Sequence, residues 1–450
     1  MPIPRVLLTQ LYEAAVAGAA TGPVTTRAVE SLGIPRDRRV WIFSLGKAAH
    51  AMAAAAVASL QRALNLIAGG LIVAPDEGRS PYGTLAVMQG DHPVPGPRSF
   101  AAAQRIGEIA TRMKSGDVGL VLMSGGATSL IAAPLRGMTE LELTQLFETL
   151  LASGLDIGAV NAIRRRFTRW GGGRLALAIA PAAAHCLAVS DVPGDDLATI
   201  GSGPSVPDPT TADDVLDILE DAKLLDRIPK SFHRYLTDVS RGAEPETPKG
   251  GHPAFAHGTA RVIANNRGAL DAAAERARSL GAAAVYAVDA PLTGEARTRG
   301  EDIARWLLEL RDRATADAHA PRVAIWGGET TVTLRSTASR RSDTPATPPG
   351  GRCQELALAA AQTLHEAGDR AHGIALLAAG TDGRDGTTEA AGAFVDRATW
   401  SAILKAGLDP ANALAHHASN GALSSVNALF SPGPTGTNVM DVVIGVVDTP

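Results

Sequence analysis

Only two cysteines, Cys186 and Cys353, stand among 450 residues, which excludes a disulfide framework and a cysteine-built zinc site and suits a reducing compartment. A net positive charge is lacking too. The formal charge is −4 and no cluster of lysines alternates with aromatics, so the chain has no basic field for nucleic acid. Nor does any run reach the length and apolarity of a membrane span, since the alanine-rich stretch Ala48 to Leu60 is too short and too weakly apolar. The opening MPIPRVLLTQLYEAAVAGAA lacks a basic leader and is interrupted by Glu13, so it reads as a first helix rather than a signal peptide. The default expectation is a cytoplasmic protein that handles small molecules.

What is present is a recurring pattern. Five apolar runs each break off into glycine, serine or a charged residue: VWIFSLGKAA from Val40, VGLVLMSGGATSL from Val118, HCLAVSDVPGDD from His185, RVAIWGGETTV from Arg322 and GIALLAAGTDGRDG from Gly373. Short apolar runs without alternation suit strands buried on both faces, and ligands of open parallel sheets bind beyond the carboxyl ends of such strands. Further short runs at Leu71 to Ala74, Leu85 to Met88, Val262 to Ala264, Ala284 to Val288 and Val442 to Val447 alternate with helix-like stretches. That rhythm, in a chain too long for one ordinary core, predicts two α/β domains with mainly parallel, helix-covered sheets and an active-site cleft between them. The expected bounds are 1–245 and 258–450, with the terminal strand free to join either sheet. Two stretches read as punctuation: Arg241 to His257, rich in proline, glycine and histidine, and Arg335 to Gly351, a Ser/Thr/Pro-rich surface loop that would suit a lid.

Several turns carry chemistry. Gly46-Lys47 lies between a buried run and an alanine-rich helix, where free N–H groups and a lysine would favour an anion. A lysine snorkelling at a helix start is the alternative. A full Walker A motif is absent, because no glycine stands five residues before Gly46 and Ala48 replaces Ser/Thr. In SGGATSL (Ser124 to Leu130) backbone amides can cradle a phosphate with Thr128 and Ser129 as extra donors, although glycine pairs also close ordinary turns. Asp191 directly follows a buried run, where a carboxylate takes a hydroxyl proton or holds Mg2+. Asp195, Asp196 and Asp208 read as turn residues, and Asp213 and Asp214 as helix starters. Arg352 enters a helix, poorly placed for stability but well placed to grip an anion, and Glu355 suits a cap. Asp382 and Asp385 would repel unless a cation or basic group sits between them, so a metal or nucleotide contact competes with a plain Asp-Gly turn. Arg164, Arg165 and Arg166 read as a solvated helix face. His92 reads as structural or substrate-orienting, because no second histidine stands at ligand spacing.

These turns, in this order, resemble the glycerate 2-kinase family, whose C-terminal part is the MOFRL domain and whose members are often labelled hydroxypyruvate reductases. The matching stretches are SLGKAA, GDHPVPGPRS, LMSGGATSL, VNAIRRRFTRWGGGRLA, SDVPGDDLATIGSGPSVPDPTT, GGETTVTL, GGRCQELALAAA, GTDGRDGTTEAAGAFVD and GPTGTNVMD. The resemblance implies phosphorylation of D-glycerate at its 2-hydroxyl with ATP and Mg2+, in a monomer or homodimer with no nucleic-acid or membrane partner. It sets Lys47, Asp191 and Arg352 at the reacting centre, with Asp191 also the metal ligand and Ser124 joining Lys47 and Arg352 on the substrate. Gly125, Gly126, Thr128, Ser129, Glu329, Asp382 and Asp385 fall to the nucleotide. The chain departs from the family pattern at Gly96, Gly171, Cys353 and Met440, where aspartate, lysine, asparagine and asparagine are usual.

Two rivals have distinct signatures. An NAD(P)H-dependent hydroxypyruvate reductase lacks support, since no G-x-G-x-x-G follows a strand with an acidic residue about 20 residues on. A non-catalytic sugar-acid sensor would bind ligand without turnover, and no DNA-reading helix-turn-helix accompanies it.

Overall fold

The computed structural model describes residues 3–313, 320–334 and 350–448. Most of the Ser/Thr/Pro-rich loop, residues 335–349, therefore lies outside the described residues. The chain divides into two compact units, one of residues 21–264 and one joining residues 1–20 to 265–450. The opening stretch is indeed a helix, Ile3–Gly18. It packs on helix Asn266–Ser279 of the second unit, whereas the sequence reading had grouped it with residues up to 245. Small side chains allow this approach: a Cβ on Gly18 would lie 2.4 Å from Ala272 Cβ.

The unit of residues 21–264 is built on six parallel strands: β1 (Arg39–Leu45), β2 (Leu66–Ala74), β3 (Leu85–Gln89), β4 (Val118–Met123), β5 (Ala183–Val189) and β6 (Thr259–Ala264). Their order is β3-β2-β1-β4-β5-β6. The chain runs outward from β1 to β3 and then returns to β1's other flank, so the direction of winding reverses between β1 and β4. At such a reversal adjacent connections part and leave a crevice beyond the carboxyl ends. Leu45 pairs with Met123, and Met123 with Ala188, so β1, β4 and β5 end level. β1 and β4 are almost wholly buried, as their unbroken apolar runs require. One core lies on this sheet, with Phe43, Leu71, Val121 and Ile106. A second gathers Phe147, Ile163, Phe167, Phe232 and Leu236 from the helices of the same unit.

The second unit holds β7 (Ala284–Ala287), β8 (Arg322–Gly328), β9 (Ile374–Gly380), β10 (Gly392–Asp396), β11 (Leu429–Phe430) and β12 (Asp441–Val447), in the order β11-β10-β9-β12-β8-β7. Among the named strands of the described residues, β7 and β8 pair in parallel and the other four pairings are antiparallel. Over both sheets parallel pairs still prevail. The mixed sheet arises because β12 enters between β8 and β9, running against both, and thereby settles which sheet the terminal strand joins. Two strands escape the sequence reading. β10 lies in GAFVD, quoted only as part of a motif, and two-residue β11 is too short for any periodicity to mark it.

The three consecutive arginines overturn an expectation. They lie in helix Ile157–Phe167 and are buried, Arg166 completely, not spread on a solvated face. Arg165 Nε lies 2.8 Å from Asp208 Oδ1, and Arg166 contacts Asp208 and Glu246. Burial works upward on the Asp208 carboxyl, but Arg165, Thr210 and Arg166 outweigh it and hold it below its ordinary value. Glu246 and Thr247, which also bonds Asp208, come from the stretch expected to be a linker. That segment is thereby anchored inside the unit. Elsewhere in the acidic segment, Thr211 and Asp214 form a capping box on helix Ala212–Asp221, as their placing suggested.

Arg166→Ala strips Asp208 and Glu246 of a fully buried partner, leaving Asp208 with Arg165 alone and an empty space where the guanidinium lay. Its unfolding free energy, measured by urea denaturation, is expected to fall by about 3–5 kcal/mol.

Candidate active site

Beyond β1 the chain turns at Gly46 with φ +122°, a conformation only glycine adopts readily. A Cβ there would strike Ser124 Oγ at 2.3 Å. The Ser124 hydroxyl accepts from the Ala48 amide at 3.0 Å and faces the Leu45 carbonyl. It thus ties the turn after β1 to the turn after β4, a structural duty that the sequence reading had not foreseen for this residue. The Lys47 amide donates to the Gly125 carbonyl at 3.0 Å, while the Lys47 side chain is exposed. Its ammonium has no hydrogen-bond acceptor among the described residues.

Gly125 is where the three strand ends meet. A Cβ on it would stand 1.8 Å from Asp191 Oδ2, and one on Gly126 would stand 3.1 Å from the His92 ring and 3.6 Å from Lys47 Cε. The structure therefore brings Lys47, the Gly125-Gly126 turn, Asp191 and His92 together. The Gly125 and Gly126 amides have no acceptor among the described residues. Thr128 and Ser129 are occupied otherwise: Thr128 Oγ1 lies 2.9 Å from Ser202 Oγ, and Ser129 Oγ donates to the Pro93 carbonyl at 2.7 Å. Partial burial, followed by the Lys47 and Arg164 cations, lowers the His92 pKa to about 4. Desolvation and both cations act in the same direction, each disfavouring the protonated ring.

The second unit carries another cluster. Arg352 is the first residue of helix Arg352–Glu366. Its Nε and Nη2 meet Asp441 at 2.6 and 3.0 Å, and its Nη1 meets Glu329 Oε1 at 2.6 Å. Burial opposes the charge, but Asp441 and Glu329 prevail and raise the Arg352 pKa above its ordinary value. The expected anion-gripping arginine is thus already held by two carboxylates, leaving two of its five N–H groups. Asp441 was missed as a site residue although its motif was quoted; a lone acid opening an apolar run was the available signal. Asp385 accepts from the Cys353 and Gln354 amides and from Gln354 Nε2, at 3.2, 2.9 and 3.1 Å. It is the side chain that caps this helix. Burial, with Asp441 adding, pushes its pKa up to about 6 against those N–H groups. Glu355 does not cap; it lies 2.9 Å from His417 Nδ1. Asp382 bonds within its own turn, accepting from Arg384 N at 3.0 Å. Asp382 and Asp385 therefore face different partners.

Three of the four family departures meet local constraints, and nothing in the structure explains Cys353. A Cβ on Gly171 would meet the Arg165 backbone oxygen and Thr168 Oγ1 at 2.5 Å, which leaves no room for a larger residue, whereas one on Gly96 would meet Asp91 Oδ2 at 2.8 Å and require that side chain to shift. Met440 has φ +69°, a region where asparagine is more at ease. Among the described residues no group of three or more His, Cys, Asp or Glu side chains is placed to hold a metal.

Fold and site define an α/β protein whose strand-end turns set a lysine and a carboxylate around a glycine pair at a switch point. Residues 7–237 match the model described as a domain of unknown function (DUF4147), and residues 322–441 match the MOFRL family. D-glycerate 2-kinase of Thermotoga maritima is 34% identical over 91% of this chain and 91% of its own. An Agrobacterium vitis protein that carries a hydroxypyruvate reductase name is 36% identical over 97% and 93%. The crystal structure of the Thermotoga maritima glycerate kinase matches with a TM-score of 0.83 and 32% identity, covering 99% of this chain and 100% of that one. The chain belongs to the glycerate 2-kinase family with a C-terminal MOFRL domain.

Two measurements test this geometry. Gly125→Ala forces the Asp191 carboxylate aside, and displacements of this kind cost about 100-fold in kcat/KM; circular dichroism is expected to stay native while turnover drops by that order. For His92 the folded pKa lies below the unfolded one, so between pH 6.5 and about 4 the unfolded chain binds more protons and stability declines as pH falls. His92→Gln should therefore lose less Tm than the wild type on acidification through that window, and parallel Tm profiles would disprove the assignment.

Proposed function

We propose that the protein is an ATP- and Mg2+-dependent kinase that phosphorylates D-glycerate at the 2-hydroxyl to give 2-phosphoglycerate. The observation that carries this reading is the meeting of Lys47, Asp191 and the Gly125 and Gly126 amides, which have no acceptor among the described residues, beyond level strand ends. The kinase names borne by the Thermotoga maritima relatives support it. Phosphoryl transfer demands mainly positioning and neutralised charge. The glycerate O2 forms a bond to the γ-phosphorus as the bond to the β-bridging oxygen breaks, and ADP leaves.

In this reading Asp191 orients the 2-hydroxyl or takes its proton, and Lys47 neutralises charge on the transferring group. The Gly125 and Gly126 amides face phosphate oxygens, whereas Ser124, Thr128 and Ser129 keep the turn in shape. Arg352 presents its remaining N–H groups to an anion, and Asp441 and Glu329 fix its plane. Asp385 holds the helix that carries Arg352, and Asp382 shapes the neighbouring turn. Mg2+ binds through one or two carboxylates together with substrate phosphates, not in an all-protein cage. Asp191, half-buried at a strand end, fits that donor set and is the residue proposed to hold it. Bound there, Mg2+ would offset phosphate charge.

The name carried by the Agrobacterium vitis relative favours one rival, NAD(P)H-dependent reduction of hydroxypyruvate. ADP release with D-glycerate and ATP, set beside loss of absorbance at 340 nm with hydroxypyruvate and NADH, separates the two. Lys47→Ala is expected to lower kcat/KM for D-glycerate phosphorylation by about 100- to 1,000-fold with unchanged circular dichroism. Near-normal turnover would remove Lys47 from the mechanism.

A further inference from the structure

Arg164 differs from the two arginines that follow it. Arg165 and Arg166 are paired with the buried Asp208, and Arg166 also with Glu246, but no carboxylate pairs with Arg164 among the described residues. Only 9% of it is exposed, and its Nε and Nη2 are buried with no hydrogen-bond partner. Its guanidinium carbon lies 4.7 Å from the Phe147 ring centroid, a contact that steadies the cation without using its in-plane N–H donors. Burial alone lowers its pKa, to about 10, so it stays charged near neutrality. A buried, uncompensated charge costs a fold several kcal/mol and persists where something else requires it.

What lies beside Arg164 indicates the requirement. Both Arg164 and Lys47 act on the His92 ring, and His92 and Lys47 both border Gly126. Lys47 thus borders the same strand-end turn as His92, and the Arg164 charge is felt at that ring. The carboxyl end of helix Ile157–Phe167 bears Arg164 in its last turn, where the helix dipole favours a positive charge. A planar guanidinium with vacant N–H donors matches a small oxyanion in two-pronged fashion.

We propose that Arg164 is a substrate-binding residue that grips an oxyanion of the reactants, the carboxylate of the hydroxy acid or a phosphate of the nucleotide. The proposal rests on the kinase reading for the identity of those reactants.

Arg164→Met keeps an unbranched chain against Phe147 and deletes the charge. In steady-state assays we expect KM for one reactant to rise by about 10- to 100-fold. A rise for D-glycerate identifies the carboxylate, and a rise for ATP the phosphate. The Tm gain that D-glycerate or inorganic phosphate produces in the wild type should vanish for the same anion. Without ligand, the variant's Tm should equal or exceed that of the wild type, because an unpaired buried charge has gone. Arg164→Lys, which keeps a charge but not the planar fork, should show an intermediate KM. Both KM values within twofold of wild type, with both anion-induced Tm gains preserved, would overturn the proposal. Wild-type protein that turns over no D-glycerate would end the kinase reading, and the anion-induced Tm comparison would still decide Arg164.

Discussion

The absence of a side chain at Gly125 is the constraint on which the candidate site depends. Asp191 Oδ2 occupies the space a Cβ would fill, so the turn after β4 and the carboxylate after β5 can share one small volume. The level endings of β1, β4 and β5 make that sharing possible, and the Ser124 hydroxyl locks the first two turns together. Lys47 then projects from a backbone whose position is set on both sides, by the Gly125 carbonyl and by the Ser124 hydroxyl that accepts from the Ala48 amide. Precision comes from strand ends and glycine contacts.

The molecule uses its charges in two ways. Arg165 and Arg166 are enclosed with Asp208 and Glu246, and they bind the Glu246–Thr247 segment to the helix bearing them. That is architecture. Lys47 and Arg164 are cations without acidic partners among the described residues, and the charge of each bears on His92. In the second unit the same contrast is drawn within one residue. Arg352 gives three N–H groups to Asp441 and Glu329 and retains two, so its orientation is fixed by groups that leave part of its fork open. Asp385 completes the arrangement from below, holding the amides at the start of the helix on which Arg352 sits.

Much of the fold was legible because buried strands write themselves as short unbroken apolar runs. β1, β4, β5, β8 and β9 each end where glycine, serine or an acid interrupts the run, and these interruptions are the site turns. β10 and β11 were not legible, being short strands inside loop-like sequence. The mixed direction of the second sheet was not legible either, since an apolar run has the same composition whichever way its neighbours run. The three arginines were misread for a related reason: a run of like charges says nothing of the acids that reach it from 40 or 80 positions away.

By itself the sequence determined which turns could carry chemistry, since glycine at positive φ, a cation after a strand and an acid after a strand are local properties. It also determined the family, through the order of those turns. Only the tertiary structure decided which polar groups were free for a ligand and which were already engaged. Ser124, Ser129, Asp385 and much of Arg352 are engaged, while Arg164 is not, because hydrogen-bond partnership depends on residues brought together by packing and leaves no mark on the residue that receives it.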